Sequence, residues 1–226
     1  MSPSAQSILE RGGLIVLDDG FALEDHERKC LTFGGASGAK NISLSPDGET
    51  VRGLDAAAHD PARRLMARYA DWARAQVLAI APTYAAALER GRTSLRNRAV
   101  GGEGSSPRKD DRRLHIDAFA SQPTGGKRIL RVFANINPDG EARLWRVGEP
   151  FEDHARRWIC RLRGPAPGEA WALQALGITK SRRTPYDAMM LELHDAAKLD
   201  PEYQRDAPRR EVAFPAGQAW IVYTDS

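Results

Sequence analysis

The sequence predicts an α+β protein, mainly β, with a sandwich or small-barrel core braced by helices. Three observations predict it. A long amphipathic helix occupies the first third, and the hydrophobic period shortens to strand-like alternation from residue 92 onward, with helical insertions. A short, strongly apolar run, 219-AWIVYT-224, comes last. At 226 residues the chain is expected to form a single domain, with residues 1–91 as an N-terminal strand, loops and scaffold helix and 92–226 as the β core.

In chain order, 14-LIVLDDGFAL-23 opens apolar and then meets acids, as a strand running into a turn does. Residues 31–58 carry Gly34, Gly35, Gly38, Pro46 and Gly48 and are expected to be irregular, with short strands at best. A helix follows, with Asp60 as its cap and Pro61 at its first position. Met66, Tyr69, Ala73, Val77 and Ile80 form its apolar stripe. Pro82 interrupts it, and a second helical stretch through Tyr84 and Leu88 ends at Gly91. RTSLRNRAV reads as a strand, GGEGSSPRKDD as a loop and 112-RRLHIDAF-119 as a strand again. The runs 127-KRILRVFANIN-137 and 141-EARLWRV-147 flank Pro-Asp-Gly and predict a hairpin. Residues 150–176 are helical in patches, broken by 164-GPAPG-168. A helix over 184–199 is capped by Thr184 with Pro185 next, and 215-PAG-217 turns the chain into the last strand.

Composition excludes some classes. No window approaches the run of about 18 apolar residues that a membrane span needs. The N-terminus shows no secretory pattern, and Cys30 and Cys160 lie far apart as ordinary thiols, so a cytoplasmic protein is expected. The net charge is only +3, with acids interleaved throughout, which gives no nucleic-acid footprint. The positive charge is mostly arginine, since lysine occurs six times, and arginine suits bidentate contact with carboxylate or phosphate.

The chemistry centres on 114-LHIDA-118. On a strand His115 and Asp117 share one face, while Leu114, Ile116 and Ala118 share the other. An imidazole and a carboxylate at i and i+2, with a second histidine from a distant strand, form a facial iron site with open positions for the keto-carboxylate of 2-oxoglutarate and for dioxygen. Chance alone supplies roughly 0.4 such pairs in this composition, so the bare motif is weak. The next strand presents Leu130, Val132, Ala134 and Ile136 on an apolar face and Arg131, Phe133, Asn135 and Asn137 on the other, which either meets water or lines a cavity.

The segment 109-KDDRRLHIDAFASQPTGGKRILRVFANINPDGEARLWRVGEPFEDHARRW-158 resembles the Kdo (3-deoxy-D-manno-oct-2-ulosonic acid) hydroxylase family, the Fe(II)/2-oxoglutarate dioxygenases that modify the inner-core sugar of lipopolysaccharide. The stretches 184-TPYDAMMLELHDAAKLDPEYQ-204 and 217-GQAWIVYTD-225 are similar to later parts of the family. The resemblance implies a double-stranded β-helix (jelly-roll, cupin-like) core and hydroxylation at carbon 3 of Kdo on lipid A or a precursor, with Fe(II) as cofactor and 2-oxoglutarate as co-substrate. It implies His115 and Asp117 as metal ligands. Arg131 and Asn135, and more weakly Arg96 and Arg98, become candidates to grip 2-oxoglutarate or the sugar carboxylate.

The family pattern places a distal histidine shortly after the strand matching AWIVYTD, and the sequence given stops at Ser226. The expectation is therefore a core lacking its last strand or strands and a site lacking its third ligand. His26, His59, His154 and His194 are poor substitutes, the last two lying on helical stretches. The substrate expected is Kdo-lipid A or a precursor, with contact at the inner face of the inner membrane. The rival reading is a catalytically dead β-helix module that binds an anionic glycolipid or a protein partner; a basic nucleic-acid binder lacks the stacked aromatics it would need.

Overall fold

The computed structural model describes residues 4–33, 41–96 and 106–226. It is an α+β arrangement of antiparallel sheets and helices. Strand β8 (Ala219–Tyr223) is central to the main sheet, with β1 (Leu14–Val16) on one side and β5 (Leu130–Ala134) on the other. Both neighbours are antiparallel, with Leu14 opposite Val222 and Leu130 opposite Tyr223. The continuous apolar run of β8 is explained by burial on both faces. Ala219 and Ile221 pack with Leu9, Leu17 and Val77, while Trp220 and Val222 pack with Phe214 on the opposite face.

The first of those faces is covered by α1 (Ala5–Glu10) and by α2 (His59–Ile80), whose Tyr69 hydroxyl donates to the Val132 carbonyl at 2.8 Å. The other side of α2 holds the sheet β3–β2–β4 (Val51–Arg52, Ile42–Leu44, Thr93–Leu95), where Met66 and Leu65 pack on Ile42, Leu44 and Leu95. The opposite face of β8 meets a two-stranded sheet of β6 (Arg143–Val147) and β7 (Arg210–Phe214). Phe133, Trp145, Phe214 and Trp220 interlock there, Phe214 lying flat on Trp220 with ring centroids 3.8 Å apart. A third cluster joins Leu114 and Ile116 to α3 (Phe151–Trp158), α5 (Pro185–Leu199) and α6 (Pro201–Asp206).

Several expectations are corrected. Helix α2 starts at His59 rather than after Asp60, because a 3-10 turn over Ala56–Ala58 runs straight into it. Asp60 then pairs with Arg63 and Arg64 inside the first turn. After Pro82 only a 3-10 helix, Pro82–Ala86, forms. The predicted hairpin does not exist: β5 pairs with β8, and β6 with β7. The turn at Pro138–Gly140 is present, with Gly140 at φ +77, but it carries the chain from one sheet to the facing one. Trp145 meets Phe133 edge-on at 4.7 Å, a contact made across a sandwich rather than along a ladder. Close packing of the turns is visible at Gly20, where any Cβ would fall 1.7 Å from the Gly217 carbonyl oxygen. The predicted helix at 184–199 is found as α5, with Thr184 and Asp187 closing a capping box.

Candidate metal centre

The segment 112–119, expected as a strand, is not one: residues 112 and 113 form a turn and a bend, and 114–119 join no ladder. Gln204 of α6 takes the place of a neighbouring strand. Its side-chain oxygen accepts from the Leu114 N–H at 2.9 Å, and its amide donates to the Leu114 carbonyl at 2.8 Å. The Asp117 N–H donates to the Thr224 carbonyl at 2.6 Å, which ties the segment to the end of β8. Leu114 and Ile116 are thereby buried against α5, and His115 and Asp117 turn together to the half-buried face.

Each side chain is held by its other atom. The Arg113 carbonyl can only accept, so the 2.6 Å contact makes His115 Nδ1 the protonated nitrogen and leaves the Nε2 lone pair free. Asp117 Oδ2 is gripped by Arg131 Nε at 2.7 Å, which leaves Oδ1 facing His115 Nε2 at 3.9 Å. Two donors at roughly 2.0–2.2 Å from one ion can span that separation with little movement. The pair therefore fits two positions of a metal. Among the described residues no group of three or more His, Cys, Asp or Glu side chains is placed to hold an ion. His194 stands edge-on to His115 with centroids 5.5 Å apart, but its Nδ1 is bound to Asp195 at 3.0 Å. Burial pushes the His194 pKa down, against the opposing pull of Asp195, so it stays neutral near pH 7.

The other predicted residues separate. Arg131 also donates to the Thr224 hydroxyl at 3.2 Å, and its terminal nitrogens have no hydrogen bond among the described residues. Asn135 uses its amide on the Glu141 and Phe214 carbonyls at 2.8 and 2.9 Å, and its oxygen accepts from the Asn137 N–H. Arg96 is bound to Asn41 at 2.9 Å and to Asp111 at 3.0 Å. Arg98 lies outside the described residues. Gln204 and Thr224 go unpredicted. Their contacts reach across 90 and 107 positions of chain from Leu114 and Asp117, and neither belongs to a local motif.

The model of the 3-deoxy-D-manno-oct-2-ulosonic acid (Kdo) hydroxylase family matches residues 2–226. The chain belongs to the Kdo hydroxylase family. Among solved structures it is similar to the Kdo hydroxylase KdoO, a non-heme Fe(II) α-ketoglutarate-dependent dioxygenase. The cobalt(II) complex of that enzyme aligns at 45% identity and TM-score 0.90, covering 96% of this chain and 74% of that one. Its complex with α-ketoglutarate and Fe(III) aligns at 44% identity and TM-score 0.88, with the same coverage. No curated protein matches significantly.

Proposed function

We propose that this Kdo hydroxylase family member hydroxylates carbon 3 of Kdo on lipid A or a precursor, using Fe(II) and 2-oxoglutarate. One dioxygenase-like domain over residues 1–226 with a jelly-roll core would carry the reaction, on the cytoplasmic side of the inner membrane. The observation that carries this reading is the facing pair of His115 Nε2 and Asp117 Oδ1, each fixed through its remote atom, in a chain of this family.

When bound, iron supplies the dioxygen chemistry that couples decarboxylation of 2-oxoglutarate to hydroxylation of a C–H bond. The chain's own residues do the rest. The Arg113 carbonyl keeps His115 in the tautomer that presents Nε2, and it raises the basicity of that nitrogen. Arg131 orients Asp117, and its unengaged terminal nitrogens offer a cationic edge to the carboxylate of 2-oxoglutarate or of the sugar. The aromatic wall of Phe133, Trp145 and Trp220 keeps water from the space between the sheets. No described helix is long and apolar enough to cross a membrane, so the lipid substrate would be met at a surface.

The test is anaerobic titration with Fe(II) and 2-oxoglutarate, following the visible charge-transfer band of the chelate, then mass spectrometry of Kdo-lipid A for the gain of one oxygen atom. The band should form and disappear in His115→Ala and Asp117→Ala. A band of unchanged strength in both variants would remove these residues from the site.

A further inference from the structure

Helix α4 (Glu169–Ala175) and the turn after it expose three large apolar side chains to solvent. Trp171 is 66% exposed, Leu176 74% and Ile178 53%. The turn is a built feature. Gly177 takes φ +68, the Gly177 N–H donates to the Gln174 carbonyl at 3.0 Å, and the Ile178 N–H donates to the Leu173 carbonyl at 2.9 Å. This closure folds the chain back and fixes Leu176 and Ile178 at the end of the helix. Isolated exposed apolar residues need no explanation, but three large ones within eight positions form a patch.

The charge carried by this stretch of chain is one-sided, with Glu192 reaching it from α5 to accept from the Arg163 N–H at 2.7 Å. Residues 159–186 contain five basic side chains, Arg161, Arg163, Lys180, Arg182 and Arg183, against one acid, Glu169, an excess of four on a chain whose net charge is +3. That acid is engaged locally, accepting from the Ala166 N–H at 3.0 Å. None of the five bases forms an ion pair among the described residues, whereas a surface arginine such as Arg156 is paired with both Glu152 and Asp153. An apolar patch beside unpaired cations is the composition that binds the boundary between phosphate headgroups and acyl chains.

The patch is also tethered to the candidate metal centre. The Lys180 N–H donates to the Ser121 carbonyl at 3.0 Å, and Arg183 donates to the Ala120 carbonyl at 2.5 Å. Ala120 lies three residues beyond Asp117, at most about 11 Å of extended chain.

We propose that residues 169–183 dock on an anionic bilayer, with Trp171, Leu176 and Ile178 entering the interface and Lys180 and Arg182 contacting lipid phosphates. A second copy of the chain is the poorer occupant, because a two-fold contact would bring this positive excess against itself. The proposal gives a purpose to the hydroxylase reading above but uses none of its chemistry, so docking can be measured without iron or 2-oxoglutarate.

The experiment is co-sedimentation of the purified chain with vesicles of phosphatidylcholine, with and without phosphatidylglycerol, alongside sedimentation velocity of the free protein. Binding should require phosphatidylglycerol and weaken with salt. It should fall about tenfold or more both in Trp171→Ser/Leu176→Ser/Ile178→Ser and in the charge-reversed Lys180→Glu/Arg182→Glu. The second variant alters only exposed cations and keeps the test valid should the first fold poorly. Absence of binding, or unchanged binding in the charge-reversed variant, would overturn the proposal. So would an oligomer that dissociates in the apolar variant without any vesicle binding, which would make the patch a contact between copies.

Discussion

Asp225 is where fold and candidate site are joined, and its removal should be felt in both. The carboxylate is 2% exposed and collects four donors. Arg128 approaches with Nη2 at 3.1 Å and Nε at 3.4 Å, the Ile129 N–H at 3.1 Å and the Tyr186 hydroxyl at 3.2 Å. The guanidinium also lies 4.1 Å over the Tyr223 ring. Deleting one partner of a fully buried ion pair costs about 3–5 kcal/mol. Arg128 keeps 39% of its side chain exposed and retains its stacking, so water recovers part of that loss, whereas the Ile129 N–H does not find a new acceptor. Asp225→Ala should therefore lose about 2–3 kcal/mol, most of it desolvation left unmatched. For a chain of this length that is a fall of roughly 4–12 °C in Tm. Asp225→Asn keeps an acceptor for Ile129 and Tyr186 and should lose about 1 kcal/mol less.

Urea unfolding of the three proteins gives the free energies, and iron titration gives the second readout. Thr224, adjacent to Asp225, accepts the Asp117 N–H, so a frayed end of β8 should weaken iron binding along with the fold. Asp225→Ala as stable as wild type within about 0.5 kcal/mol would refute this account of the clasp. Lost stability with unchanged iron affinity would refute the coupling to Asp117.

Three further outcomes are expected. Gln204→Leu leaves the Leu114 backbone without its side-chain partner and should cost about 2–3 kcal/mol. Because the same contact places His115, iron affinity should fall about tenfold, read by anaerobic titration. Asn135→Ala releases the Glu141 and Phe214 carbonyls and should lower the urea-derived stability by about 2 kcal/mol; an unaltered unfolding curve would return Asn135 to the list of ligand-binding candidates. Burial lowers the pKa of His154 below its usual 6.5, with Glu149 opposing and Arg157 adding to the shift. Below about pH 6.5 the unfolded chain takes up a proton before the folded one does, so stability should fall as pH drops through that window. The slope there should be shallower in His154→Gln, measured as urea midpoints across the range.

Legibility in the sequence followed the range of the forces involved. The cap at Thr184, the break at 164-GPAPG-168 and the twofold alternation of 114-LHIDA-118 are local, set by backbone sterics and neighbouring side chains, and all are found in place. Strand pairing is not local. Pro-Asp-Gly encodes a reversal of direction, and the reversal occurs at Gly140, but nothing in those residues says whether the returning strand lies beside β5 or across from it. That choice is made by β8. Its all-apolar run can satisfy both faces only when sandwiched, and its two edges are filled by β1 and β5, which sends β6 to β7.

The face of β5 read as polar shows the same limit. Arg131, Phe133 and Asn135 do share a side, yet each is used by a different distant partner. Arg131 orients Asp117, Phe133 joins the aromatic wall with Trp220, and Asn135 clamps the crossover. Alternation assigns side chains to a face; the identity of the opposing layer decides what that face does. Of the three, only Arg131 keeps nitrogens without a hydrogen bond among the described residues; its guanidinium stands over the Phe119 ring, 5.8 Å from the centroid, and against the His115–Asp117 pair. With about a third of its side chain exposed, Arg131 leaves those nitrogens to water at little cost, and a carboxylate arriving there would exchange that water for a charge-assisted contact beside the carboxylate the same group already holds.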